Sequence, residues 1–448
     1  MKKIVLISIT IFFSLNIFSQ ENTVKFSGKI TTKNSNQLVI DNDFGYNKTI
    51  TLNEDGSFSD TLNISDEGMY SFFDGRESSV FYLKPGYDLN LTLNTKEFDE
   101  TIKYTGNGSE NNNFLAEKYM INENELSDTK KIYSLNEKDF VEKQNSVKEK
   151  YFSMLDKLSD KKFVEQQKKE INYEYLISLN FYESYHSYFS EDNDFKASKD
   201  FLKPLENLDY TNEEDYKSNK FYKLLVNSHY LADINNPKEM DKALLLITKI
   251  ESKTIKDGVI NFMMSSYFDI GNEHLTELYN AIKKNCTDEF YLESFTEQYE
   301  AFEKLLAGNE SPKFSYKDID GKQVSLDDFK GKFVYIDVWA TWCSPCRGEI
   351  PYLKKMEKDY HGKDIVFISI SVDAKKDYDK WVKMVKDEEL KGYQLFADKS
   401  WKSDFVRAYK INGIPTFILI DKEGKIISAS AKRPSNPELR IQLDELLK

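Results

Sequence analysis

Two cysteines, Cys343 and Cys346, are separated by two residues in a 448-residue chain that contains only three cysteines. If a helix begins at the first of them, the two Cα atoms lie roughly 5 Å apart, a distance that a disulfide accepts. The free N–H groups at a helix N-terminus also favour a thiolate and lower the pKa of the thiol. The spacing therefore predicts a redox-active pair that opens and closes by thiol–disulfide exchange.

The two cysteines are predicted to have different roles. Cys343, the N-terminal member, is expected to face solvent and to attack a substrate disulfide. Cys346, one turn deeper in the helix, is expected to resolve the mixed disulfide that forms. Ser344 and Pro345 lie between them and help to set the redox potential, since the central dipeptide governs how well the thiolate is stabilised.

Other chemistries for the pair find less support in the sequence. A structural zinc site needs about four ligands, but only Cys286 remains and the nearest histidine is His361. Covalent haem attachment requires a histidine directly after the second cysteine, where Arg347 stands. A peroxidatic cysteine would follow a Pro-x-x-x-Thr pattern, and those positions hold Ile336 and Ala340. We expect no metal and no organic cofactor; a purely structural disulfide in a secreted protein stays open as an alternative.

The elements around the pair are predicted from apolar runs and turn residues. An apolar strand over residues 333–339 leads into the cysteines, and further strands are expected at 365–372 and 415–420 with helices between them. An Asp-Gly turn indicates a hairpin within residues 315–324, and a last helix is expected at 438–447. Strands that alternate with helices predict a layered α/β domain.

Residues 336–346, IDVWATWCSPC, resemble the active-site segment of the thioredoxin superfamily. The wider region 308–448 is similar to the TlpA/ResA-like disulfide reductases of the bacterial envelope. Asp337, six residues before Cys343, matches the buried aspartate of thioredoxin, and Pro351 matches the proline that kinks its active-site helix. The loop of Gly413, Ile414, Pro415 and Thr416 matches the one whose proline is cis and faces the cysteine pair.

The resemblance implies a role for several of these residues. Asp337 would be desolvated on its apolar strand, so its pKa would rise and it would accept the proton of the Cys346 thiol. A cis bond before Pro415 would expose the backbone of Ile414 to an extended substrate. Trp342 would form an apolar rim beside the attacking cysteine, and Trp339 would pack in the core.

One departure from the family pattern is apparent. The ResA-like branch carries a glutamate shortly after the second strand of the domain. In this chain Ala374 falls closer to that position, and the nearest acid is Asp373.

Three regions precede this domain and give the chain a multidomain fold class. Residues 1–20 have the features of a secretory signal, because Lys2 and Lys3 precede an apolar run that ends at Phe18. Residues 21–105 alternate in polarity between turn residues and predict an antiparallel β-sandwich or barrel-like domain. Residues 106–307 are predicted to be a linker, at 106–113, followed by an α-helical region.

The distribution of charge argues against nucleic-acid binding. Residues 21–310 carry 34 basic and 53 acidic side chains, a net charge of −19, while residues 311–448 carry 26 and 22, a net charge of +4. The acidic part is typical of a solubilising surface. His186, His229 and His274 stand singly in the helical region and are expected to be structural.

These observations predict an exported thiol–disulfide oxidoreductase of the bacterial periplasm or cell envelope, soluble after signal cleavage or anchored at its N-terminus. A protein disulfide reductase is favoured, with protein thiols as substrates. The family implies apocytochromes c among those substrates and a membrane protein as electron donor. Two alternatives stay open: a disulfide oxidase or isomerase on the same scaffold, since direction depends on the redox potential, and an envelope ligand-binding protein with an incidental redox domain.

Overall fold

The computed structural model describes residues 22–448, so the predicted signal over residues 1–20 lies outside the described residues. The described chain forms two compact units that divide between Leu225 and Val226. This division falls inside the region that the sequence predicts as one helical stretch, residues 106–307.

Within residues 22–225, the strands form two four-stranded sheets, of order β4-β1-β7-β8 and β3-β2-β5-β6. The strands are β1 Thr23–Thr31, β2 Gln37–Asp41, β3 Asn47–Thr51, β4 Ser57–Asn63, β5 Gly68–Phe73, β6 Ser78–Leu83, β7 Asp88–Asn94 and β8 Lys103–Asn107. The predicted antiparallel pairing is found throughout except between β1 and β7, which run parallel. Parallel neighbours need a crossover connection, and here the strands of the second sheet supply it.

The segment 106–113, predicted as a linker, instead closes β8 and opens the first long helix. The side chain of Asn112 accepts a hydrogen bond from Tyr82 N (2.7 Å) and donates one to Tyr82 O (3.0 Å). Asn113 makes the same two bonds to the backbone of Tyr104, at 2.8 and 2.9 Å. An amide side chain has the same donor and acceptor as a peptide group. The asparagines that made this segment resemble a linker therefore attach the first long helix to strands β6 and β8.

One short helix lies between β7 and β8, and helices make up most of the chain from β8 to the last sheet. They are α1 Phe98–Thr101, α2 Ser109–Leu126, α3 Thr129–Tyr133, α4 Glu137–Leu155, α5 Lys161–Ser190, α6 Lys199–Glu206, α7 Glu213–Ser218, α8 Lys220–Leu231, α9 Met240–Thr248, α10 Lys253–Ser266, α11 Leu275–Asn285 and α12 Glu289–Glu303.

The second unit contains a seven-stranded sheet of order β10-β9-β13-β12-β11-β14-β15. Its elements are β9 Ser315–Asp318, β10 Gln323–Ser325, β11 Phe333–Trp339, α13 Ser344–Asp359, β12 Ile365–Ser371, α14 Tyr378–Asp387, β13 Tyr393–Phe396, α15 Asp404–Ala408, β14 Thr416–Ile420, β15 Ile426–Ser428 and α16 Pro437–Leu446. The predicted layered α/β fold is confirmed.

Strand β11 leads into the cysteine pair and positions it. Every residue of β11 is buried, with a strand on each side and helices on both faces of the sheet. It pairs parallel with β12 and antiparallel with β14. Alternate side chains of a strand point to opposite faces. Phe333 and Tyr335 therefore share one face, where they pack with Leu353 of α13 and Leu439 of α16. Asp337 follows in the same alternation and lies on the side of α13.

Candidate active site

The cysteine pair lies at the start of α13, as the spacing predicts. Cys343 is the N-cap residue of the helix, and its Sγ accepts a hydrogen bond from the backbone N–H of Cys346 at 3.2 Å. The two residues are joined by a disulfide with their Cα atoms 5.3 Å apart. The helix N-terminus therefore presents an N–H donor directly to the sulfur of the first cysteine.

The expectation that Cys343 faces solvent is wrong for this oxidised form. Both cysteines are only 4% exposed and belong to the apolar cluster that contains Trp339 and Ile350. The disulfide holds the sulfur of Cys343 against Cys346 instead of directing it outward. The exposed surface at the pair is made by Trp342, Ser344 and Pro345.

The two tryptophans near the pair lie where they were expected. Trp342 is 54% exposed, and its ring centroid lies 6.5 Å from that of Trp401. Trp339 is 1% exposed and packs in the core. An exposed indole beside a redox-active disulfide offers apolar area to an approaching chain.

The loop before β14 reaches the same end of the sheet as the cysteines. Thr416 pairs with Val338 at the end of β11, so the residues that precede Thr416 lie at the edge where the chain turns toward Cys343. The Ile414–Pro415 bond is cis, as the resemblance implies. Ile414 packs against the cluster that contains both cysteines.

Asp337 is 8% exposed on β11, between Ser369 of β12 and Phe417 of β14. Burial, together with the negative charges of Glu349 and Glu357, raises the pKa of its carboxyl group to about 8, against a hydrogen bond from Ser369 that lowers it. Asp337 is therefore predominantly protonated at neutral pH. A carboxyl group that titrates near the working pH is suited to exchange a proton with a thiol.

Glu349 is a buried acid that the sequence did not single out. It lies on α13 three residues after Cys346 and is 9% exposed. Its carboxylate accepts hydrogen bonds from Ser435 N (2.9 Å) and Ser435 Oγ (2.8 Å). These bonds fix the side chain of Glu349 on the side of α13 that faces Asp337, where its charge raises the pKa of Asp337.

Asp373 anchors the loop that leads to the cysteines. It is fully buried after β12, and its carboxylate accepts hydrogen bonds from Thr341 N (2.9 Å) and Thr341 Oγ1 (2.8 Å). Ser371 Oγ donates a third bond at 2.8 Å. Asp373, the acid next to Ala374 at the position of the family glutamate, therefore binds Thr341, two residues before Cys343.

The remaining candidates make local contacts of their own. Cys286 is half-buried just after α11, where its Sγ donates to Asp288 O at 3.5 Å. Nδ1 of His186 lies 2.7 Å from Tyr133 O, and its ring stacks on Tyr182. Among residues 22–448, no cluster of three or more histidine, cysteine or acidic side chains is arranged to hold a metal ion.

The sequence pattern of the Redoxin family matches residues 306–443. The thiol-disulfide oxidoreductase ResA of Bacillus thuringiensis subsp. konkukian is 36% identical over 147 residues, which cover 33% of this chain and 79% of that protein. The chain belongs to the ResA-like thiol–disulfide oxidoreductases of the thioredoxin superfamily. ResA of Bacillus subtilis is 29% identical over 127 residues, which cover 28% of this chain and 67% of that protein. Below, residues 306–448 are called the ResA-like domain.

Solved structures of thiol-disulfide oxidoreductases are also similar to about a third of this chain. The thioredoxin domain of a thiol-disulfide oxidoreductase from Bacteroides vulgatus is 32% identical and covers 32% of this chain and 99% of that chain, with a TM-score of 0.29. A thiol-disulfide oxidoreductase from Bacteroides fragilis is 27% identical and covers 31% of this chain and 100% of that chain, also with a TM-score of 0.29.

The family makes this protein an oxidoreductase enzyme that acts on thiols and disulfides. In the ResA-like domain, the structure brings Cys343, Cys346 and the Pro415 loop to one end of the sheet, with Asp337 beneath on the face of α13. No helix within residues 22–448 is long and apolar enough to span a membrane.

Two acids on α13 were missed by the sequence analysis, Glu349 and Glu357. The signal for Glu357 is its spacing, because it follows Ile350 and Leu353 by seven and four positions and so shares the apolar face of the helix. An acid at such a position is desolvated unless it is paired.

Proposed function

We propose that the ResA-like domain reduces protein disulfides through Cys343, Cys346 and Asp337. The observation that supports this is the disulfide at the N-terminus of α13, above a buried carboxyl group whose pKa lies near 8. A structural disulfide needs neither an N–H donor on its first sulfur nor an ionisable group behind it.

The first half-reaction uses the reduced pair. The Cys343 thiolate, favoured by the N–H groups of α13, attacks one sulfur of a substrate disulfide. The substrate S–S bond breaks, one substrate thiolate leaves, and a mixed disulfide with Cys343 forms. Trp342, Ser344 and Pro345 make the exposed rim on which the substrate lies, and the backbone of Ile414 beside Pro415 pairs with its extended chain.

The second half-reaction needs a base. Asp337 in its ionised form takes the proton of the Cys346 thiol, and the new thiolate attacks the Cys343 sulfur. The second substrate thiolate leaves and the Cys343–Cys346 disulfide forms, so two electrons have passed from the pair to the substrate. Asp337 then carries the proton, which agrees with a pKa of about 8 in the disulfide form.

We also infer that the protein is exported and that it exchanges electrons with a membrane donor and with secreted substrates. The two lysines and the apolar run at the start of the sequence support export to the periplasm or cell envelope. A reductase there needs electrons from outside the compartment, so a membrane protein that re-reduces the pair is the expected donor. Secreted proteins with disulfides, apocytochromes c among them, are the expected substrates.

The full chain tests the activity by insulin reduction in the presence of excess dithiol. The wild type should accelerate precipitation of the insulin B chain, and Cys343→Ser should reduce the rate to that of dithiol alone. Equal rates for the two proteins would refute the proposal.

Equilibration of the wild type with glutathione buffers then separates reductase from oxidase. A reductase should have a potential near the roughly −270 mV of thioredoxin, whereas a value near about −120 mV would assign the oxidase alternative.

A further inference from the structure

A small cavity adjoins Asp337 inside the ResA-like domain. It lies between β11, β12, β13 and α13, with Ser369, Trp339 and Gln394 in its wall beside the carboxyl group. It leaves about 10 Å³ for the centre of a water molecule. That is close to the least space in which one water fits.

Two residues of the wall each carry a buried polar atom that has no hydrogen-bond partner among the described residues. The indole N–H of Trp339 is a donor and Oε1 of Gln394 is an acceptor, and both atoms are buried. A buried polar atom without a partner costs about 1–3 kcal/mol, and buried waters satisfy such atoms with two to four hydrogen bonds. One water in this cavity has a donor, an acceptor and the Asp337 carboxyl group to bond.

Glu357 lies at the other side of the cavity, on α13. It is half-buried, and its Oε1 approaches the turn at Gly392, where an added Cβ would lie 2.7 Å away. Burial raises the pKa of Glu357, and the positive charges of Lys354 and Lys391 oppose this effect only in part, so that the pKa is about 7. Glu357 therefore connects the cavity to the surface and changes charge near neutral pH.

The charged and titratable groups around Asp337 and Glu357 come from three places. Helix α13 contributes Glu349 and Lys354, the turn before β13 contributes Lys391, and β11 contributes Tyr335. Strands β12 and β13 present only the neutral groups of Ser369 and Gln394 to this cavity. Glu357 is thus the carboxyl group of the cavity wall that stands between Asp337 and solvent.

We propose that Glu357 exchanges the Asp337 proton with solvent through one water molecule held between Trp339 and Gln394. The proposal rests on the proposed function, in which Asp337 takes the Cys346 proton. The protonated Asp337 gives its proton to the water, the water gives one of its own to the Glu357 carboxylate, and Glu357 releases it to solvent. Proton number is conserved and no electron moves. Glu357 is a positioning residue rather than a catalytic one, because it acts on the cysteines only through Asp337.

If Glu357 acts only through its charge, its removal should speed the second half-reaction, whereas a relay predicts that the reaction slows. Its negative charge raises the pKa of Asp337, so removal of that charge would leave more Asp337 ionised at pH 7 and would speed the second half-reaction. A relay predicts that the same change slows that half-reaction, because most Asp337 is protonated at pH 7 and must lose its proton before it can accept that of Cys346. Glu357→Gln keeps the size of the side chain and distinguishes the two.

The test uses the reduced full chain with Cys286→Ser, which removes the free thiol outside the pair, and dithiobis-nitrobenzoate, an aromatic disulfide whose thiolate product is coloured, in single turnover. Attack by Cys343 releases one thionitrobenzoate and resolution by Cys346 releases the second, so the two half-reactions are timed separately. Glu357→Gln should slow the second release by roughly tenfold at pH 7 and leave the first unchanged. The wild-type pH profile of the second release should show ionisations near 7 and near 8, and the variant should lack the lower one.

Two further variants complete the test. Asp359→Asn removes a carboxylate of α13 that pairs with Arg440 outside the cavity wall, and it should leave both rates unchanged. Asp337→Asn should slow the second release by about 10²-fold. An unchanged or faster second release in Glu357→Gln overturns the relay alone if Asp337→Asn is slow. If Asp337→Asn also keeps the wild-type rate, the proposed role of Asp337 and the relay both fail.

Discussion

Asp337 makes the ResA-like domain less stable as the pH rises. Its folded pKa is about 8, whereas an exposed aspartate in an unfolded chain titrates near about 3.9. Between these values the folded state binds the extra proton, so unfolding becomes easier with increasing pH. The favourable contribution is complete below about pH 4 and is lost as the pH approaches 8.

Asp337→Asn is therefore predicted to stabilise the domain at pH 8 by about 2–5 kcal/mol and to change its stability little at pH 4. The measurement is urea unfolding followed by tryptophan fluorescence. All four tryptophans, Trp339, Trp342, Trp381 and Trp401, lie in the ResA-like domain, so the signal reports on that domain. A loss of stability at pH 8 would contradict the assignment of Asp337 as a buried, protonated acid.

The Cys343 thiol is predicted to titrate below the roughly 8.5 of a free cysteine, because the N–H of Cys346 and the other free N–H groups of α13 face its sulfur. Alkylation rate against pH, measured on reduced Cys346→Ser that also carries Cys286→Ser, gives this value directly. The same measurement on unfolded protein is the control. A midpoint equal to that control would contradict a thiolate stabilised by the helix.

The sequence predicted the site residues that belong to a motif. It did not predict the residues that are distant in sequence and come together only in the folded structure. Cys343, Cys346 and Asp337 follow from spacing and resemblance. Glu349 and its partner Ser435 are 86 residues apart, and no local pattern joins them. The expected exposure of Cys343 was wrong because a motif gives the position of a side chain on its helix, not what covers it.

The loop between β11 and α13 is held at one point by the end of β12. Asp373 accepts two hydrogen bonds from Thr341 and one from Ser371, all of them buried. Parallel pairing of β11 with β12 brings these ends together, since Trp339 is opposite Ser371. The position of Cys343 at the helix N-terminus thus depends on an acid from the neighbouring strand.

Asp373→Ala is predicted to destabilise the ResA-like domain by about 3 kcal/mol, because it leaves three buried donors without an acceptor. It should also move the alkylation midpoint of Cys343 toward the free-thiol value, since the loop is no longer held. Fluorescence-detected unfolding and the alkylation profile measure the two effects. The exposed Asp379→Ala is the control on α14 and should change neither. Wild-type values for Asp373→Ala would show that the loop does not need this anchor.

The elements of the ResA-like domain were largely predictable, and those of the first unit less so. The predicted strand over 333–339 coincides with β11, because a fully buried strand is apolar throughout. Strand β13 was missed, since four residues are too few to show alternation. The segment 106–113 was interpreted as a linker because asparagine and glycine are also the residues of turns.

At the scale of the whole molecule, the family covers about a third of the chain, and the thiol chemistry belongs to that third. The boundary between the two units, after Leu225, has no counterpart in composition, because it falls within a single helix, α8. Sequence patterns indicate where helices form and not which of them pack together. The charge of −19 over residues 21–310 was evident from the sequence alone.

In the proposed mechanism, Cys343 attacks a protein disulfide and Cys346 resolves the intermediate. The most direct test is expression of the full chain as Cys346→Ser and as Cys343→Ser in its own cells, followed by non-reducing electrophoresis and mass spectrometry. Cys346→Ser should accumulate mixed disulfides with exported proteins that reductant releases, because the trapped intermediate lacks its internal thiol. Cys343→Ser should carry few or none. Equal trapping by both variants, or trapping by neither, would refute these roles of Cys343 and Cys346.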